Sequence, residues 1–258
     1  MKRTFGGAFV FVVLAASIAG AQQPPAPAGG QRGAGGQPPA PMTNLQIIPK
    51  DTPRPQVIAT MQAFTQSLGV QCAYCHIDEG RGGRQDYASD DKPTKKAARG
   101  MMLLAREINE KLPAAVNKTA TETTRVGCAT CHRGVPIPKQ IVDIVTDAAA
   151  TGGATAGLAK FKELRTQFYG GQSYDFSEGS LLTIAQRANT AQKPDDALAY
   201  LQANLEYYPK SARSYLLMSQ IHQAKNDKDA AIKDVEKALE IDPNNNQAKT
   251  RLQQLKGQ

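Results

Sequence analysis

The 258-residue chain has four cysteines and three histidines, and most of them fall in two short stretches. QCAYCHIDEG, residues 71–80, holds Cys72, Cys75 and His76; GCATCHRGVP, residues 127–136, holds Cys128, Cys131 and His132. In each, two residues separate the thiols and the histidine follows directly. Thiols at this spacing can add to the two vinyl groups of one porphyrin. The adjacent imidazole can then swing beneath the ring to bind iron. C-x-x-C-H is the attachment signature of c-type haem. The pattern therefore predicts two haem c groups, held covalently by Cys72, Cys75, Cys128 and Cys131, with His76 and His132 as iron ligands.

Other cysteine chemistry fits less well. Paired C-x2-C zinc sites want gaps of about 15–20 residues, whereas 52 residues lie between Cys75 and Cys128. A thioredoxin-type dithiol needs a βαβ setting that the sequence lacks. Two disulfides suit an exported chain but leave a histidine after both pairs unexplained.

The second axial ligand follows from what remains. His222 is the one spare histidine and lies far along the chain, so two bis-histidine irons are excluded within one chain. Methionine is the alternative, and Met/His ligation raises the haem potential. Met61 precedes His76 by 15 residues, on a segment that leads into the first motif. For the second iron the candidates are Met101 and Met102. Met61, Phe64 and Leu68 share the pattern M-x2-apolar-x3-apolar with Met101, Leu104 and Ile108. If the two helices are internal counterparts, Met101 is the ligand and Met102 packs elsewhere.

The elements that must position these residues are helical, and the expected fold class is mainly α. Ile58, Met61, Phe64 and Leu68 recur at helical spacing, with Gly69 as terminator. A Gly- and Asp-rich loop spans 78–92. Residues 93–112 read as a helix with proline at its start and Pro113 just past its end. The dihaem domain is expected over 43–140. Residues 141–155, rich in Ala, Thr and Gly, read as a linker. Over 156–258 the chain repeats: KPDDALAYLQANLEYYP aligns with DKDAAIKDVEKALEIDP at an offset of 34, placing Ala197 on Ala231, Leu201 on Val235 and Pro209 on Pro243. That period is the tetratricopeptide helix-turn-helix signature. The first helices of the two units should span about 178–191 and 211–224, with a capping helix at 244–256. Two units are fewer than a stable stack needs, so either a helix at 156–168 is expected to add contacts or the stack is expected to rest on the first domain.

Charge divides unevenly. The whole chain carries +8, residues 43–140 hold 14 basic and 9 acidic side chains, and residues 141–258 hold 14 of each. No basic stripe interleaves with aromatics, so nucleic acid is not an expected partner. Haem propionates give the excess a use, and Arg81, Arg84, Lys95, Arg99, Arg125 and Arg133 are candidates to neutralise them. At the N-terminus, Lys2 and Arg3, an apolar run from Phe5 to Ile18, and Ala19-Gly20-Ala21 predict a signal peptide (1–21) cleaved after Ala21. An uncleaved anchor is the alternative. Residues 22–42, nearly all Gln, Pro, Ala and Gly, read as a disordered linker. The protein is expected to be periplasmic or otherwise exported.

MQAFTQSLGVQCAYCH, YASDDKPTKKAARGMM and VGCATCHRG together resemble the photosynthetic reaction-centre cytochrome c subunit family, in the manner of its short homologues from non-photosynthetic bacteria. The resemblance covers about residues 43–140. It implies haem binding by both C-x-x-C-H motifs, with Met61 and one of Met101 and Met102 as distal ligands. Reaction-centre subunits carry four haems, and this chain has motifs for two. It also lacks the lipid-anchoring cysteine of some members, so a photosynthetic role is not implied. The segment from Phe168 onward resembles tetratricopeptide-like modules of exported bacterial proteins.

The expected function is electron transport between redox protein partners, soluble or membrane-associated, with no catalytic residues. The repeats would serve as a docking or assembly module, and self-association through the haem domain or the repeats is compatible. A dihaem peroxidase-like enzyme and a redox scaffold are the alternatives.

Overall fold

The computed structural model describes residues 42–257. The predicted signal peptide, and the predicted Pro/Gly/Gln linker as far as residue 41, lie outside the described residues. The fold is mainly α, as expected.

Helix α1 (Arg54–Leu68) has a proline in its first turn, where a missing N–H costs nothing. It ends at Gly69, whose φ of 65° is the left-handed conformation that glycine adopts without a Cβ penalty. A short 3-10 turn, Cys72–Tyr74, leads into a small antiparallel hairpin of β1 (Ile77–Asp78) and β2 (Gln85–Asp86). Helix α2 (Pro93–Ala115) runs on past the predicted end, with Pro113 accommodated in its last turn. Helix α3 (Cys128–His132) is the second motif itself.

Helix α4 (Ile141–Phe168) corrects the expected linker at 141–155. The segment is helical, broken by a kink where Gly152 (φ −136°, ψ 20°) and Gly153 (φ 62°, ψ −163°) leave helical geometry. Ile141, Val142 and Val145 are buried with Phe161 and Leu164 in one core. The supposed linker is therefore part of the packing that the repeats need. The Arg165 guanidinium stacks 3.7 Å from the Tyr169 ring centroid and 4.3 Å from that of Tyr207, tying the end of α4 to the next hairpin.

The repeats form as the period predicts. Helices α5 (Glu178–Thr190) and α6 (Pro194–Tyr207) make one hairpin, and α7 (Ala212–Ala224) and α8 (Lys228–Ile241) make the next. Helix α9 (Asn246–Lys256) caps the stack. Side-chain N-caps set three starts: Ser211, Asp227 and Asn245 each accept at 3.0 Å from the N–H three residues on. Ala231, Val235, Ala238 and Ala248 are fully buried between the last helices. No described helix is long and apolar enough to cross a membrane.

The apolar core is distributed very unequally. Among the described residues, only Val57 and Val135 of segment 43–140 are buried apolar side chains; every other one lies at or beyond Ile141. The N-terminal segment thus builds helices without a protein core of its own.

Candidate functional site

The first motif begins where α1 stops. The backbone N–H groups of Cys75 and His76 both bond to Cys72 O, at 3.2 and 3.0 Å, folding CAYCH into a tight turn. His76 Nδ1 lies 3.0 Å from Tyr87 O. A carbonyl only accepts, so Nδ1 carries the proton and Nε2 keeps its lone pair for a metal. The first turn of α2 clasps this motif from the other side. Lys92 Nζ donates to Ala73 O, Thr94 Oγ1 donates to Tyr74 O at 2.5 Å, and Lys95 Nζ donates to Tyr87 O at 2.9 Å. Burial, and then the Lys95 charge, hold His76 below the ordinary imidazole range, which favours the neutral, ligating form. Burial pushes the Cys75 thiol up, against the pull of Thr94 and Lys92.

The second motif uses the same device. His132 Nδ1 lies 3.0 Å from Val135 O, so here too Nε2 is the free nitrogen. Thr130 Oγ1 accepts from Gly127 N at 3.0 Å and starts the short helix. Asn109, on α2, makes a two-way bond to Val126, accepting from its N–H at 2.7 Å and donating to its carbonyl at 2.8 Å. One helix therefore holds both motifs: the first at its N-terminus, the second through Asn109. Beyond His132, Gly134 N donates to Ser67 O at 2.8 Å, and Ser173 Oγ donates to Arg133 O at 2.7 Å. No disulfide joins any of the four cysteines.

The methionine candidates differ in setting. Met61 is half-buried on α1, and Met102 is half-buried on α2. Met101 is 47% exposed, in a stripe with Leu104 and Ile108 at positions i, i+3 and i+7. No residue of the 23-residue helix α2 is buried. Among the described residues, nearly all the exposed large apolar side chains belong to segment 43–140, including Ile58, Tyr74, Leu103 and Ile137. A large apolar group seated here would cover the exposed part of such side chains, roughly half of each, at a gain of about 1 kcal/mol each. The residues present fit haem c on three counts: paired thiols, an imidazole with its Nε2 free at each motif, and apolar helix surface that the protein leaves bare.

Several basic residues expected at propionates have other duties. Lys95 binds three loop carbonyls, Arg99 pairs with Asp90 at 2.8 Å, and Arg84 lies 3.5 Å from Asp86. Arg81, Arg125 and Arg133 make no ion pair among the described residues. His222 is bonded through Nδ1 to Asp234 at 2.7 Å inside the repeats. The clasp formed by Thr94, Lys92 and Asn109 was not apparent in the sequence. Its partners are backbone carbonyls and amides, which have no sequence signature.

Two C-x-x-C-H turns, each with an oriented histidine beside an uncovered apolar helix, define a c-type cytochrome. The family model for the photosynthetic reaction centre cytochrome C subunit matches residues 14–239, most of the chain, and the chain belongs to that family. It is 36% identical over 108 residues to the photosynthetic reaction center cytochrome c subunit of Roseobacter denitrificans, a match covering 41% of this chain and 27% of that protein. It is 38% identical over 82 residues to cytochrome c-554 of Chloroflexus aurantiacus, covering 31% of this chain and 18% of that one. The subunit of Thermochromatium tepidum is 37% identical over 98 residues, covering 37% and 21%. The chain thus spans about a quarter or less of the length of these relatives. A crystal structure of MamA overlaps 45% of this chain and 65% of its own at a TM-score of 0.33 and 14% identity, a likeness on which nothing here rests.

Proposed function

We propose that this chain is an exported dihaem c-type cytochrome that carries electrons between redox proteins. Cys72 and Cys75 hold one haem c through thioethers and Cys128 and Cys131 hold the other, with His76 and His132 presenting Nε2 to the irons. Bound haem c supplies a one-electron Fe(III)/Fe(II) couple. The protein's part is to orient each imidazole through its Nδ1 bond, to shield the ring and to set the local charge.

Met61 and Met101 are the proposed distal ligands. Met101 is preferred to Met102 because it lies in the bare apolar stripe with Leu104 and Ile108. If His76 with Met61 and His132 with Met101 each held an iron, no position would remain for a substrate, which suits a carrier better than an enzyme. The repeats act as a docking or assembly module for the redox partners, soluble or membrane-associated.

The observation that carries this reading is the near-absence of a protein core in residues 43–140 beside two complete attachment motifs. The test is pyridine haemochrome quantitation of the exported protein after extraction of loose haem. Two covalent haems per chain support the proposal. Replacement of Met61 or Met101 by Ala should each turn one haem from low to high spin, while Met102→Ala should not.

A further inference from the structure

One carbonyl oxygen, that of Tyr87, serves two groups. His76 Nδ1 lies 3.0 Å from it and Lys95 Nζ lies 2.9 Å from it. The same ammonium donates to Ala88 O at 2.9 Å and Ser89 O at 2.8 Å, and the Lys95 side chain is only 11% exposed. Asp90 lies 3.4 Å from Lys95, but it shares its carboxylate with Arg99 at 2.8 Å. Asp78 and Asp86 also border this loop, on the Tyr87 hydroxyl and on the Ala88 and Ser89 N–H groups, so what sets the corner apart is the shared oxygen and not its net charge. At the second motif, His132 Nδ1 reaches Val135 O at 3.0 Å, and among the described residues no lysine shares that oxygen. Helix α2 adds to the difference. Its N-terminus, the positive end of its dipole, faces the first motif, and its later half holds the second.

Building on the dihaem reading, we propose that Lys95 tunes the first haem site, raising its reduction potential above that of the second. An axial histidine whose N–H bonds to a strong acceptor becomes a more basic ligand and favours the oxidised metal. A carbonyl that already accepts from an ammonium is a weaker acceptor, so His76 is held as a poorer donor than His132. At its own site the Lys95 charge acts in the same direction, whereas Arg133 adjoins His132 at the second motif, so the difference between the two sites is carried by the shared Tyr87 oxygen. Reduction brings one electron from the reductant and no proton, so the site's charge falls by one, which a nearby cation favours. Electrons therefore settle first at the Cys72–His76 motif. Lys95 is a positioning residue, acting on iron only through Tyr87 O and through its field.

The test is a spectroscopic redox titration of the full dihaem protein, with dithionite as reductant and ferricyanide as oxidant. The wild type should show two one-electron midpoints. A Cys128→Ser/Cys131→Ser variant, which keeps only the first attachment site, should retain the upper one. Lys95→Gln keeps two N–H donors for the loop carbonyls but removes the charge. It should lower the upper midpoint by about tenfold in equilibrium constant, about 59 mV for one electron, and leave the lower one in place. Lys95→Arg should keep the wild-type values. A merely structural lysine would leave the potentials unmoved in Lys95→Gln. That result, or equal movement of both midpoints, or retention of the lower midpoint by the single-site variant, overturns the proposal while the dihaem reading stands. A wild type without two covalent haems overturns both.

Discussion

Gly69, which ends α1, and Gly134, which follows the second motif, lie in direct contact. A Cβ placed on Gly69 would fall 2.2 Å from the carbonyl oxygen of Gly134. Both residues have positive φ, 65° and 83°, and the adjacent Gly134 N–Ser67 O bond of 2.8 Å locks the two turns together. The exit from the first methionine helix is thus fastened to the exit from the second attachment motif. Gly69→Ala meets two penalties, a left-handed backbone and a collision with main chain that cannot swing aside. It should cost about 2 kcal/mol or more, read as a lower midpoint of thermal unfolding and reduced haem occupancy at both motifs.

A second close approach lies in the C-terminal core. A Cβ on Gly157 would come 2.1 Å from the Tyr200 hydroxyl, which is itself buried without a hydrogen-bond partner. Tyr200→Phe removes an orphaned polar group and should be neutral or stabilising by up to about 1 kcal/mol. Gly157→Ala alone should be clearly destabilising. The double variant should recover part of that loss, a non-additivity that a double-mutant cycle of denaturant midpoints would measure.

Because residues 43–140 bury only two apolar side chains of their own, their order should depend on the cofactor. A full-length chain with all four attachment cysteines changed to serine should lose amide protection in α1 and α2. Helices α4 to α9, with Phe161, Tyr200, Leu201 and Ile221 in their core, should keep theirs. Hydrogen exchange on the two forms measures this directly. Equal protection of α2 in both would show that the helix needs no haem.

Acid should act through Asp90. Its carboxyl is held well below the usual carboxylate range, first by the Arg99 hydrogen bond, which outweighs the opposing effect of desolvation, and then by Lys95, the Arg99 charge and Asn44. A depressed carboxyl stabilises the folded state above its unfolded pKa of about 3.9, and that contribution is lost as pH falls through the folded value. Asp90→Asn should therefore weaken the fold near neutral pH and flatten its loss of stability below about pH 4. Circular dichroism of unfolding across that range would show it.

The attachment motifs and the repeats were plain in the sequence for different reasons. Covalent haem chemistry demands a fixed spacing of Cys72, Cys75 and His76 that little else requires. The 34-residue period survives because Ala197 and Ala231, or Leu201 and Val235, occupy equivalent packed positions. What escaped was set by tertiary contact. Residues 141–155 have the composition of a linker, yet Ile141, Val142 and Val145 find a core supplied by residues further along the chain. Lys95 and Arg99 look like propionate partners by charge alone. The loop carbonyls of Tyr87, Ala88 and Ser89 that Lys95 binds instead are invisible to residue type.

The most direct measurement is the intact mass of the exported, denatured protein, followed by the masses of its proteolytic fragments. Two covalent haems are predicted, one on the fragment with Cys72 and Cys75 and one on that with Cys128 and Cys131. A mass equal to the polypeptide alone, or a single haem, would contradict the dihaem account.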